Sequence, residues 1–307
     1  MELLKTGKTG ELVAFLQRDY ANNLYFFSYL DELSRLDAET AVWVAWKNGA
    51  IVLALLVSPV HCCVSAADYS LIDAVAGRLP SLESVHVLGR SDLTCRLLSL
   101  ARSPARWQKF YSFCKLNPER LPDAGNCRSV KAAATDLPTL IRLYAKTNIL
   151  AHHETRLPAL LRSGTVYLAK EGDSAVSCAL TTIETSEMAM IGAVFTDETH
   201  RNRGLATDCM VNLCRDLAAR GKEVYLFYER DNPLLGRLYA KMGFTITGKW
   251  VVATISRDPY FLKVRNRPRL LIPPGATPCD PLFSPAALLA THRLPKPLTR
   301  SHYLIMD

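Results

Sequence analysis

Two stretches of this chain share one layout of apolar and polar positions. Val42-Trp-Val-Ala45 and Ile51-Val-Leu-Ala-Leu-Leu-Val57 read as sequential strands joined at Asn48-Gly49, a pair that accepts the positive φ angles of a tight hairpin turn. About 124 residues later, Val166-Tyr-Leu-Ala169 and Ala175-Val-Ser-Cys-Ala-Leu180 repeat the layout around a turn at Glu171-Gly172-Asp173. Helical spacing precedes each pair, over Glu11–Leu36 and Asp136–Arg162. The first copy continues with a predicted helix near Asp68–Arg78 and a strand at Val85–Leu88. The second continues with an apolar run, Met188–Phe195, a helix over Ala206–Arg220 and a buried strand at Val224–Tyr228. Asp231-Asn232-Pro233 then reads as a helix start, with a cap donor and proline in the first turn. That helix carries Leu235, Leu238, Tyr239 and Met242 at helical spacing and stops at Gly243.

Composition narrows the classes. With 307 residues, 49% of them hydrophobic, the chain can bury a substantial core and accommodate two domains. The apolar run Ala50–Val57 is far too short to span a bilayer, and the opening Met1–Lys5 lacks the layout of a signal peptide. Nine cysteines without a Cys-x-x-Cys pair or metal-ligand spacing predict reduced, buried thiols in a cytoplasmic protein and no metal. The net charge of +8 is not gathered into one basic helix with interleaved aromatics, which argues against nucleic acid as a partner. Half of that excess, a net +4, lies between Arg265 and the end, and it reads either as solvated surface or as a field that collects an anionic cofactor. Residues 265–307 also hold eight prolines, so long helices and inner strands are excluded there. Pro118, Pro122 and Gly125 mark a junction near Asn117–Asn126.

The most specific chemistry lies at Arg201-Asn202-Arg203-Gly204-Leu205-Ala206, which fits Gln/Arg-x-x-Gly-x-Gly/Ala. A strand, a glycine turn and a helix in succession aim backbone N–H groups and the positive end of a helix dipole at one point, as a pyrophosphate requires. The pattern alone is weak; Asp231-Asn-Pro233 and Leu238-Tyr-Ala-Lys-Met-Gly-Phe244, in order downstream, make it specific. Lys5–Gly10 echoes the end of a P-loop but has glutamate where the first glycine belongs. Neither Gly-x-Ser-x-Gly nor Gly-x-Gly-x-x-Gly occurs.

With Gly192-Ala-Val-Phe-Thr196 and His200–Ala206, these motifs resemble the coenzyme A-binding half of a GCN5-related N-acetyltransferase (GNAT) domain, in particular a two-lobed bacterial type. The resemblance covers about 128–257 well and the first lobe in outline. It implies an α/β fold of two GNAT-like lobes, each a mixed, mostly antiparallel sheet flanked by helices, plus a Pro-rich C-terminal extension. The expected divisions are 1–120 for a degenerate lobe without its own cofactor, 127–257 for the catalytic lobe and 258–307 for the extension. A chance αβ similarity is the other reading of the first lobe.

The resemblance further implies acetyl-CoA as co-substrate and an unspecified amine as acceptor. Val194, Phe195 and Thr196 match positions whose backbone pairs with pantetheine and polarises the thioester carbonyl. Arg201, Asn202, Arg203, Gly204, Leu205 and Ala206 match the pyrophosphate cradle. Glu198, where proline is usual, puts an acid near the phosphates. Asn232 matches an asparagine that holds the pantetheine amides, though a plain N-cap is an equal reading. Tyr239 matches the tyrosine that donates a proton to the departing thiolate, with packing as its alternative. No base is determined: Glu184 is the tentative choice, Glu154, His152 and His153 lie in the helical region above it, and water is a further route. The resemblance implies transfer to a primary amine by direct attack in a ternary complex. The alternative is a non-catalytic acyl-CoA-sensing or protein-interaction module; no membrane is implied, and oligomeric state stays open, a homodimer included.

Overall fold

The computed structural model describes residues 2–3, 9–33, 40–58, 61–78, 85–101, 105–123, 128–150 and 153–255. The Pro-rich extension predicted for 258–307 lies outside them, as does His152.

The first half of the chain runs β1 (Glu2–Leu3), α1 (Thr9–Leu16), α2 (Leu24–Leu33), β2 (Ala41–Lys47), β3 (Ala50–Val57), β4 (His61–Ala66), β5 (Val85–Arg90), α3 (Ser91–Leu100) and β6 (Ala105–Leu116). The second repeats the order with β7 (Ser129–Lys131), α4 (Leu137–Tyr144), α5 (His153–Ser163), β8 (Val166–Glu171), β9 (Ser174–Glu184), β10 (Met188–Thr196), α6 (Leu205–Ala219), β11 (Glu223–Glu229), α7 (Pro233–Lys241) and β12 (Phe244–Ile255). The helical stretch expected over 11–36 is interrupted by 3-10 turns at Gln17–Asp19 and Ala21–Asn23, and that expected near Asp68 is a 3-10 helix, Tyr69–Arg78.

The twelve strands of the described residues form one sheet, ordered β1-β2-β3-β4-β5-β12-β6-β11-β10-β9-β8-β7. The order is palindromic by role. Each half has a parallel pair, β4 with β5 and β10 with β11, and each lends its last strand to the other. β6 pairs antiparallel with β11, β12 pairs antiparallel with β5, and β6 and β12 pair with each other. The two halves therefore have the same topology with exchanged terminal strands.

Period-two alternation divides the core between the sheet's faces. On one face, Ala54 and Leu56 of β3 pack with Leu12 and Leu16 of α1, while Cys178 and Leu180 of β9 pack with Leu140 and Leu143 of α4. On the other, Leu53, Leu55 and Val57 pack with Leu93 and Leu97 of α3, while Ala179 and, past a bulge against β8, Val176 pack with α6. At the exchange, Phe113 of β6 stacks between Trp250 of β12 (4.9 Å, 10°) and Tyr225 of β11 (5.3 Å, 9°).

Candidate active site

β10 and β11 run in parallel register from Met188↔Glu223 to Ile191↔Leu226 and then part. β11 goes on to Glu229 against β6, and β10 goes on to Thr196 against β9. The parting coincides with a bulge, because Gly192↔Leu180 and Phe195↔Cys178 set three steps of β10 opposite two of β9. Ala193 takes φ +51° there, a left-handed conformation that costs a residue with a Cβ about 1–2 kcal/mol. The fully buried Tyr144 of α4 donates its hydroxyl to the Ala193 carbonyl at 2.5 Å. Burial raises the Tyr144 pKa well above the usual phenol value, so it remains a donor. The bulge re-aims the next side chains: Val194 faces the α6 side with Ile191, and Phe195 faces α4 with Ala193.

Past Thr196 the chain turns through Asp197 and a 3-10 helix, Glu198–His200. The Asp197 pKa falls to about 2, chiefly through the hydrogen bond from Lys146; burial opposes this and bonds from Thr199 add to it. Asn202 (φ +59°) and Gly204 (φ +74°) then fold the turn ahead of α6. A Cβ at Gly204 would meet no atom nearer than Arg128 Nη2 at 3.6 Å, so the backbone angle, not space, is what calls for glycine. The first bond of α6 runs from Asp208 N–H to the Gly204 carbonyl at 3.0 Å. The amides of Leu205, Ala206 and Thr207 precede it and end the helix as open donors. A cleft there is lined by Thr196, by every residue from His200 to Thr207, and by Leu234 and Leu238 of α7. The helix dipole and the guanidinium groups of Arg201 and Arg203 make it a fit for a phosphate ester.

Neighbouring groups temper that charge. Glu171, in the β8–β9 turn, accepts from Arg203 Nη2 at 3.2 Å and pairs with His200 Nε2 at 2.6 Å. These two bonds, His200 first, hold the Glu171 carboxyl below its ordinary range. Glu198 lies 3.6 Å from Arg201 Nη2. Arg128 donates to the Arg203 carbonyl and pairs with Asp208 at 3.1 Å, bracing the turn from outside.

The six turn residues and Thr196 thus converge on one cleft. Val194 and Phe195 bring their backbone to its parting edge while their side chains fill the two cores. Asn232 is the N-cap of α7, its Oδ1 accepting from Leu235 N–H at 3.2 Å. Tyr239 is not brought to the lining. It is 2% exposed, with its ring 5.6 Å from Tyr228 and 5.9 Å from Phe244, and burial raises its pKa. Glu184 is also elsewhere, and its expected service as a base does not match its surroundings. Arg220 Nη1 donates to it at 2.6 Å, the Thr165 and Thr181 hydroxyls donate at 2.9 and 3.0 Å, and Lys222 stands 3.4 Å away. Burial alone would raise its pKa, but these bonds and the Arg220 charge hold it low. A carboxylate so occupied is a poor proton acceptor. Glu154 is exposed in the first turn of α5 and outside the cleft lining.

Sequence reasoning missed Tyr144, Lys146, Arg128 and Glu171. Leu140, Leu143 and Tyr144 have ordinary core spacing, so only the tertiary fold distinguishes the clamp on the bulge.

Residues 171–251 match the family model described as FR47-like protein. Among solved structures, the chain is similar to a GCN5-related N-acetyltransferase from Sphaerobacter thermophilus (14% identity, TM-score 0.57, 82% of this chain and 94% of that one). It is similar as well to an acetyltransferase of the GNAT family from Colwellia psychrerythraea (12%, 0.56, 83% and 98%). A tandem GNAT protein from the clavulanic acid biosynthesis pathway is a third (13%, 0.53, 82% and 97%). No curated protein matches the chain. By fold the chain is similar to these GNAT structures, its two halves share one strand topology, and the bulge, glycine turn and helix end described above stand in the second half.

Proposed function

We propose that this protein is an N-acetyltransferase that moves the acetyl group of acetyl-CoA to a primary amine by direct attack within a ternary complex. The observation that carries the reading is the joint opening of the β10–β11 parting and the amino end of α6 at one place. The pyrophosphate would lie on the amides of Arg201 through Ala206. The pantetheine arm would add as a short strand to the open edge of Val194–Thr196, where a backbone N–H would meet the thioester oxygen. We take 127–257 as the catalytic lobe and the first lobe as one without its own coenzyme site. Two held substrates and a polarised carbonyl supply much of the rate. The amine loses its proton to water, and Tyr239 protonates the thiolate. Its burial keeps it protonated but makes it a weaker acid, so its share of the catalysis is modest.

The test is calorimetric titration with acetyl-CoA. The wild type binds one equivalent, and Gly204→Glu, which sets an anion at the phosphate position, loses binding. Equal affinity in the two proteins would sink the assignment. A second reading, an acyl-CoA-sensing module without turnover, draws on the placing of Tyr239 and Glu184 off the cleft lining. Coenzyme binding with no free thiol released across a panel of primary amines would favour it.

A further inference from the structure

The amino-terminal lobe has a parting of its own. β4 and β5 pair only at His61↔His86 and Cys62↔Val87 among the described residues. The edges of Cys63–Ala66 and Leu88–Arg90 then diverge, leaving backbone donors and acceptors without ladder partners there. A cavity of about 260 Å³ opens at this parting, with Arg18, Asp19, Asn22, Ser65 and Arg90 in its walls and Phe15 and Leu93 as apolar surface.

Its polar groups are held in place from outside. Asp19 accepts from Arg90 Nη1 at 3.1 Å and from Asn22 Nδ2 at 2.9 Å, one bond to each oxygen. Asn22 is fixed in turn by Trp250 Nε1, which donates to its Oδ1 at 2.8 Å. Arg90 turns its other edge to Asp92, at 3.0 and 2.6 Å. Two groups are left over. Ser65 is 7% exposed, and its hydroxyl has no hydrogen bond among the described residues. Arg18 has no ion pair among them and stands exposed at the rim.

A cavity-lining hydroxyl with no protein partner among the described residues, a guanidinium and open strand amides suit a carboxylate. A carboxylate oriented by Asn22 and Arg90 suits an ammonium group. Coenzyme A does not suit this lobe, because Asp68 and a 3-10 helix follow β4 where the other lobe has its glycine turn and helix end.

We propose that this cavity is a second binding site, for a free α-amino acid with an apolar side chain. Arg18 and Ser65 take its carboxylate, Asp19 takes its ammonium, and Phe15 and Leu93 take the side chain. The site is independent of the acetyl-transfer reading and stands or falls without it.

The experiment is titration of the full chain with L-valine and L-leucine, beside isovalerate, which lacks the amine, and isobutylamine, which lacks the carboxylate. The expected result is one equivalent of amino acid bound, with each truncated probe weaker by about tenfold or more. Arg18→Gln and Ser65→Ala should each weaken amino-acid binding by about tenfold while leaving the affinity for acetyl-CoA unchanged. Neither side chain makes a hydrogen bond or ion pair among the described residues, so both variants should melt with the wild type. Absence of binding at about 10 mM, equal binding of the truncated probes, or affinity untouched by both substitutions overturns the proposal; the last places the ligand elsewhere, the acceptor side of the other lobe included.

Discussion

The hydroxyl of Tyr144 is a single atom whose removal tests how the bulge is held. In Tyr144→Phe the ring and its packing 6.4 Å from Phe195 remain, while the Ala193 carbonyl loses its 2.5 Å donor. Leaving a buried carbonyl unsatisfied costs about 1–3 kcal/mol. Ala193 already bears about 1–2 kcal/mol of left-handed strain, so the lost bond removes a main counterweight to it. For a fold of this size the melting temperature should fall by about 2–4 °C per kcal/mol. Function should respond more sharply. If the bulge relaxes, the N–H groups of Val194–Thr196 shift against a thioester anchored by its phosphates, and a displacement near 1 Å can cost roughly 100-fold in rate. The expected outcome is kcat down by about 10- to 100-fold, with acetyl-CoA affinity changed by less than about threefold, because the turn is untouched. Release of free CoA thiol with an amine that is turned over, set beside calorimetric Kd, makes the comparison. A lowered melting temperature with wild-type kcat would show that the bulge keeps its shape without Tyr144, and the positioning argument would fail.

Tyr239→Phe should reduce turnover by roughly tenfold while sparing acetyl-CoA affinity; thiol release at the wild-type rate would remove it as the acid. Asp197 has its folded pKa depressed to about 2, so its stabilising contribution is present above the unfolded value and is lost as pH falls from about 4 toward 2. Asp197→Asn should cost about 1–2 kcal/mol at pH 7, discounted for the exposed Lys146, and flatten the pH dependence of denaturant unfolding in that window; an unchanged slope would refute the pairing. Trp250→Ala removes the fully buried ring that stacks on Phe113 and should cost about 3–5 kcal/mol by urea unfolding; a loss below about 1 kcal/mol would mean the strand junction repacks around the gap.

Local chemistry was legible in the sequence, and partnership was not. The turn at Asn48-Gly49 is observed with φ +51° and +78°, as that pair predicts. α7 begins one residue after Asn232, which caps it as its polar oxygen and the following proline require. α6 begins at Leu205, one residue from the expected Ala206. The long strands Ala105–Leu116 and Phe244–Ile255 escaped notice. They lack a short apolar run bounded by turn residues, and nothing in a strand's own alternation says which sheet it joins. Glu184 shows the same limit at the site. A glutamate at a strand end suggested a base, whereas Arg220 and Lys222, some 40 positions along, decide its state. The glycine turn was readable because its backbone donors are consecutive in the chain; the clamp on Ala193 was not, because it joins residues 49 apart.

The exchange of β6 and β12 sets an order of events during synthesis. When the first half of the chain leaves the ribosome, β5 has no partner on one side, because the strand that covers it ends at Ile255. The amino-terminal lobe therefore waits, with a bare edge at Val85–Arg90, for almost the whole of the second lobe to be made. β6 waits as well, since its neighbour on the other side, β11, ends only at Glu229. Neither lobe can finish before the other, so the nascent chain passes through a long interval of exposed strand edge that a chaperone must shield or a fast collapse must shorten.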